Sequence, residues 1–120
     1  MSNKRTPMRI GLLGFGTVGG GVYEFVQARQ DMEIKYILSR RPRPELSCIV
    51  TADFSQIVSD PEVDVVIEAI GGLRPAYDYV AAALRAGKHV ITANKQLIAA
   101  HYRELVELAQ AHGVALRCSA

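Results

Sequence analysis

The sequence predicts an α/β fold, a doubly wound, mostly parallel sheet with helices on both faces. Three observations predict it. Short apolar runs of strand length alternate along the chain with stretches of helical periodicity, the order that builds βαβ units. The first run, Met8-Arg9-Ile10, leads into Gly14-x-Gly16-x-x-Gly19, a spacing that suits a strand, a tight turn and a helix start in succession. The run Val63-Asp64-Val65-Val66-Ile67-Glu68 is apolar enough for a strand buried on both sides, as parallel sheets require.

The elements follow in order. Val18, Val22, Phe25 and Val26 recur at helical spacing after the glycine turn and predict a helix from about Thr17 to Arg29. Ile34–Leu38 reads as the second strand, ending at Ser39-Arg40-Arg41, and Pro42 and Pro44 force a loop. Cys48-Ile49-Val50 is a short third strand and Phe54–Val58 a short helical turn. Beyond the fourth strand come Gly71-Gly72 and then Pro75, which suits the first turn of a helix. That helix carries Tyr79, Val80, Ala83 and Leu84 as its apolar stripe, with Gly87 as its C-terminal stop. His89-Val90-Ile91 is the next strand and leads into Thr92-Ala93-Asn94-Lys95. A helix is expected from about His101 to Ala111, stopped by Gly113, and Val114–Cys118 is the last strand. The architecture is Rossmann-type, one domain over 8–120 behind a frayed basic tail at 1–7.

Composition narrows the function. Hydrophobic residues make up 49% and charged residues 22% of 120 residues, ordinary for a soluble globular domain. A net charge of +2 argues against a dedicated nucleic-acid partner. No apolar run reaches the ~20 residues of a membrane span, and the polar start is no secretory signal. Cys48 and Cys118 have no partner cluster, so reduced thiols and a cytoplasmic setting are expected. No His, Cys or carboxylate set has metal-ligand spacing.

In an open α/β sheet, ligands lie beyond the carboxyl ends of the strands. The segments there are Gly14–Gly19, Ser39–Arg41, Ala69–Gly72 and Thr92–Lys95, all small, polar or basic. Gly14 permits the tight turn, Gly16 lets backbone approach a pyrophosphate, and Gly19 lets the helix pack closely on its strand. The helix start offers free N–H groups to the phosphates. About 20 positions beyond this fingerprint an acidic residue would bind a ribose 2′-hydroxyl, and Ser39, Arg40 and Arg41 stand there instead. Arginine accepts a 2′-phosphate bidentately, so Arg40 reads as a phosphate clamp and NADP as acceptable beside NAD. A solvated loop arginine is the alternative. Gly71-Gly72 would let backbone approach the nicotinamide side, or would serve only as a flexible turn. Glu68 could bond a ribose or a neighbouring loop, or stand exposed at a strand end. Lys95, at the ligand edge, could hold a substrate carbonyl or relay a proton; its alternative is a first-turn helix lysine in solvent. His89 reads as packing at a strand start, and His101 and His112 as ordinary helix residues.

Gly11-Leu-Leu-Gly-Phe-Gly-Thr-Val-Gly-Gly-Gly-Val22, Val65-Val-Ile-Glu-Ala-Ile-Gly-Gly72 and Gly87-Lys-His-Val-Ile-Thr-Ala-Asn-Lys95 together resemble homoserine dehydrogenase. The resemblance runs from Arg9 to Ala120 and covers only that family's nucleotide-binding part. It implies reversible conversion of aspartate 4-semialdehyde to homoserine with NAD(P)H, on the branch to threonine and methionine. It implies that Phe15, Thr17 and Val18 line the pyrophosphate turn and that Arg40 stands at the adenosine phosphate. Ile70 and Gly71 would flank the ribose, and Thr92 and Ala93 would approach the nicotinamide. Lys95 matches the lysine that the family places beside the substrate carbonyl for proton transfer, it is expected to touch the cofactor too, and the full-length enzyme is expected to be a homo-oligomer.

Two departures qualify the match. Ser119 stands where the family often carries a glutamate, and the substrate domain with its second lysine and amine-binding acids is missing. These 120 residues are therefore expected to bind cofactor without turning over alone. The competing readings are a nucleotide-sensing regulatory module without catalysis, and the nucleotide domain of an aspartate dehydrogenase-like enzyme.

Overall fold

The computed structural model describes residues 7–118. The tail expected over 1–7 lies outside them except for Pro7, as do Ser119 and Ala120. The elements are β1 (Met8–Leu13), α1 (Thr17–Gln27), β2 (Met32–Leu38), β3 (Ile49–Thr51), α2 (Phe54–Val58), β4 (Val65–Glu68), α3 (Arg74–Arg85), β5 (His89–Thr92), α4 (Lys95–Ala111) and β6 (Leu116–Cys118). All strand pairs are parallel, in the order β3-β2-β1-β4-β5-β6, so the strand order reverses between β1 and β4.

Successive side chains of a strand point to opposite faces, and the core divides accordingly. Ile10 and Leu12 join Val26 of α1, with Ile34, Ile37 and Val65, on one face. Leu13, Leu38, Val66 and Val90 meet Ile57 of α2, Val80 and Leu84 of α3, and Leu97 and Leu105 of α4 on the other. The expected layering is present but uneven. Of the described helices, α1 alone packs on the first face, beside β1 and β2. Ile91 of β5 is therefore 37% exposed, and Val18 and Phe25, expected within the apolar stripe of α1, are 55% and 58% exposed.

Pro75 occupies the first turn of α3, and Gly87 (φ +80°) ends it. There Gly87 N–H donates to Leu84 O and Lys88 N–H to Ala83 O, both at 3.0 Å, closing the last turn in a Schellman arrangement. The expected start of α4 near His101 is corrected. The helix begins at Lys95, because the Asn94 carboxamide oxygen accepts from Leu97 N–H at 3.1 Å and caps it. His101 instead marks a kink inside α4 (φ −135°, ψ 20°), where its ring stacks on Tyr77 and its Nδ1 lies 2.9 Å from Glu104. His112 is also no interior helix residue: it is the C-cap of α4. His89 is exposed at its strand start, where Nδ1 accepts from Ala115 N–H at 3.0 Å.

A polar cluster ties the loop before β4 to the sheet. Lys88 is buried, and its ammonium donates to Asp60 O at 2.7 Å and Val63 O at 2.9 Å; burial pushes its pKa down. The Asp60 carboxylate lies 2.6 Å from Lys35 Nζ and also accepts from Glu62 N–H and the Tyr36 hydroxyl, which holds its pKa at about 2. A depressed carboxyl pKa contributes stability above the unfolded value, near ~3.9, and the contribution fades as pH falls toward about 2. Asp60→Asn should cost about 1–2 kcal/mol at pH 6, hydrogen bonds to a charged group discounted for partial solvent access. In urea titrations the gap from the parent chain should narrow between pH 4 and pH 3; a gap independent of pH would contradict the ion-pair account.

Candidate dinucleotide-binding site

The three glycines of the first turn do three different jobs. Gly14 sits at φ +98°, a conformation that side chains rarely adopt, and its N–H donates to Leu38 O at 3.0 Å. At Gly19 an added Cβ would lie 2.3 Å from Gly14 O, so α1 can seat on the turn only without one. At Gly16 an added Cβ would meet no protein atom within 4 Å. Packing therefore does not demand glycine at 16, and the backbone there is open to solvent.

Gly16 is also the N-cap of α1, and no side chain bonds the helix start there. The first N–H groups of a helix lack intrahelical partners and carry partial positive charge, so an uncapped start favours an anion. Thr17 and Val18 are exposed beside it. The cradle fits a pyrophosphate.

At the end of β2, the Ser39 hydroxyl accepts from Arg41 N–H at 3.1 Å and donates to Arg41 O at 3.0 Å, fixing the turn that displays Arg40 and Arg41 to solvent. The structure adds a residue that the sequence did not single out. The Arg43 guanidinium lies 5.1 Å from the centre of the Phe15 ring, which also packs edge-on against Tyr23. Arg43 thus closes the rim between the glycine turn and the proline loop.

On the other side of the turn, a cleft of about 150 Å³ is lined by Val18, Glu68, Ala69, Ile70, Gly71, Ala93 and Asn94. Gly71 and Gly72 both take positive φ, +81° and +73°. Glu68 is not an exposed strand-end carboxylate: it is 2% exposed, and both its oxygens are engaged within the protein. Thr92 is fully buried, with its hydroxyl taken by Glu68 and Asn94 N–H, so its side chain lies beneath the cleft rather than in it. Ala93 is exposed at the edge, and Lys95 is exposed as the first residue of α4. All the carboxyl-edge segments expected from sequence therefore border one region, at the reversal of strand order.

A wider hollow, about 820 Å³, opens at the amino ends of β1, β4 and β5 near Asp64 and Lys88. There Asp64 accepts from Arg9 N–H at 2.9 Å, and the Lys88 ammonium donates to two backbone oxygens. Among the described residues no three His, Cys, Asp or Glu side chains gather as a metal site, and no helix is long and apolar enough to cross a membrane.

The family model for the homoserine dehydrogenase NAD binding domain matches residues 14–119. The homoserine dehydrogenase of Pseudomonas aeruginosa is 39% identical over 120 residues, covering 90% of this chain and 28% of its own length. That of Bacillus subtilis is 39% identical as well, covering 88% and 28%. The crystal structure of S. aureus homoserine dehydrogenase at pH 8.5 superposes with a TM-score of 0.88 at 37% identity, over 97% of this chain and 33% of that one. The chain spans under a third of the length of the curated relatives it matches. With a glycine turn open at Gly16, parallel strands reversing order beside it and a match over nearly its whole length, the chain belongs to the homoserine dehydrogenase NAD-binding domain family.

Proposed function

We propose that this chain holds the nicotinamide dinucleotide of a homoserine dehydrogenase, which interconverts aspartate 4-semialdehyde and homoserine in the cytoplasm. The observation that carries the reading is the uncapped start of α1 behind Gly16, where an added Cβ would meet no packed neighbour and the helix N–H groups stay open to a phosphate. The cofactor, when bound, supplies or accepts the hydride. The protein's own part is to seat the phosphates on the Gly14–Gly19 turn, with Phe15, Thr17 and Val18 along it and Arg40 at the adenosine phosphate. Ile70, Gly71, Ala93 and the backbone at Thr92 border the nicotinamide half.

Lys95 is the proton-handling group. Reduction of the semialdehyde leaves negative charge on the carbonyl oxygen, and an ammonium held there both stabilises that charge and delivers the proton. The substrate's amino-acid end needs acidic partners. Glu68, the carboxylate nearest the cleft, has both oxygens engaged. The 120 residues should therefore bind cofactor and show no homoserine oxidation alone, with the remaining part of a full-length enzyme supplying the substrate groups.

Cofactor choice falls to Arg40, exposed where a ribose-binding carboxylate would otherwise stand. A charge-assisted arginine–phosphate hydrogen bond contributes roughly 1.5–3 kcal/mol, about one to two decades of affinity. Arg40→Ala should weaken NADPH by that factor in calorimetry and leave NADH unchanged. Equal losses for both cofactors, or none for either, would remove Arg40 from the phosphate site.

A further inference from the structure

Two turns at the carboxyl edge, 69–73 and 93–94, are joined by a closed set of hydrogen bonds built on one buried carboxylate. Glu68 and Thr92 are direct partners across the β4–β5 pair, 2% and 0% exposed. Glu68 Oε1 accepts from the Thr92 hydroxyl at 2.5 Å, and Oε2 accepts from Ile70 N–H at 3.0 Å and Gly71 N–H at 2.9 Å. The Thr92 oxygen in turn accepts from Asn94 N–H at 3.0 Å. Asn94 Nδ2 donates to Gly72 O at 2.5 Å while its Oδ1 caps α4. The circuit therefore returns to the turn from which it started.

A carboxylate is costly to bury unless its oxygens are satisfied. Here three donors meet it, and two of them are backbone N–H groups of the turn that carries Gly71 and Gly72 at positive φ. The carboxylate thus engages those N–H groups within the protein and ties the turn to the end of β4. The N–H groups of Ile70 and Gly71 and the carbonyl of Gly72 thus hold the turn at three points. The same circuit reaches the cap of α4 and so sets where Lys95 begins.

We infer that Glu68 is a positioning residue: through Thr92 and Asn94 it fixes the two turns that receive the nicotinamide–ribose half of the dinucleotide, and it leaves the adenosine half untouched. The inference rests on the dinucleotide reading given above. A doubly wound sheet binds the two mononucleotide halves on either side of the switch in strand order. The β2 end with Arg40 lies on one side, and the β4 and β5 ends with the Glu68 circuit lie on the other. A glutamine at 68 has one acceptor oxygen for three donors, and its amide would face a donor. The circuit would open without loss of side-chain volume.

The test titrates the 120-residue chain with NADPH and, separately, with ADP, which lacks the nicotinamide–ribose half. Glu68→Gln and Thr92→Val should each weaken NADPH by about tenfold or more, the scale of a buried hydrogen bond lost with its partner left unpaired. Both should leave ADP affinity unchanged, and Thr92→Ser, which keeps the hydroxyl, should restore NADPH binding. If Glu68→Gln does not fold, Thr92→Val decides by itself. Equal weakening of NADPH and ADP would reduce Glu68 to a general structural role and overturn the inference. So would unchanged NADPH affinity in the folded variants. A parent chain that binds neither ligand overturns the dinucleotide reading instead.

Discussion

Gly16→Val leaves the chain folded and lowers its affinity for NADPH by at least about 100-fold, whereas Gly19→Ala damages the fold itself. The two glycines lie three positions apart, yet the space around them differs. A Cβ at 16 would meet no packed neighbour within 4 Å, so circular dichroism should stay near that of the parent and the melting temperature should fall only by what a poorer N-cap costs, about 1 kcal/mol. The same side chain stands between a pyrophosphate and the first N–H groups of α1. Losing even two charge-assisted hydrogen bonds of roughly 1.5–3 kcal/mol each exceeds two decades in affinity. At 19 the added carbon would sit 2.3 Å from Gly14 O. That oxygen cannot yield easily, because Gly14 N–H is tied to Leu38 O at the end of β2. Overpacking of this kind costs about 1–3 kcal/mol or more, readable as a lowered melting temperature. A Gly16→Val chain that binds normally would show that the turn is only a packing device.

Lys95→Ala, made in a full-length homoserine dehydrogenase carrying this domain, should lower kcat by about 10²–10⁴-fold, the usual yield of general acid–base catalysis. Cofactor affinity should change little. Lys95 opens α4 next to Asn94 of the cleft lining, exposed and without a salt bridge among the described residues. On the proposed role, removing it takes away a group used at the transition state rather than one used to hold the dinucleotide, and such a change falls on kcat. Near-normal kcat in the variant would remove Lys95 from the mechanism. A large rise in cofactor dissociation constant with kcat unchanged would reassign it to binding.

What could be read from the sequence was whatever is encoded locally. The alternation of apolar runs and helical stripes gave the element order, and the glycine spacing located the turn, because a positive φ at Gly14 and the close approach at Gly19 leave few residue choices. The start of α4 was missed for a local reason as well. The kink at His101 interrupts the apolar periodicity, so only the second half of the helix showed its stripe; the signal that would have found the first half is Asn94 as N-cap ahead of Leu97. Glu68 could not be resolved from sequence. Whether a strand-end carboxylate is buried depends on donors from Ile70, Gly71 and Thr92, which converge only once two parallel strands are side by side. Arg43 belongs to the same class, since its stacking on Phe15 depends on how a proline loop folds back. The exposed faces of Val18, Phe25 and Ile91 follow from topology, with α1 the one described helix on that side of the sheet.

Calorimetric titration of the 120-residue chain with NADPH tests the central claim most directly. The account predicts saturable one-to-one binding, and a melting temperature that rises with ligand, since ligand at a hundred times its dissociation constant adds about 2.7 kcal/mol to the stability of the folded state. A chain that is folded by circular dichroism, yet gives no binding heat and no thermal shift with either NADPH or NADH, would contradict it.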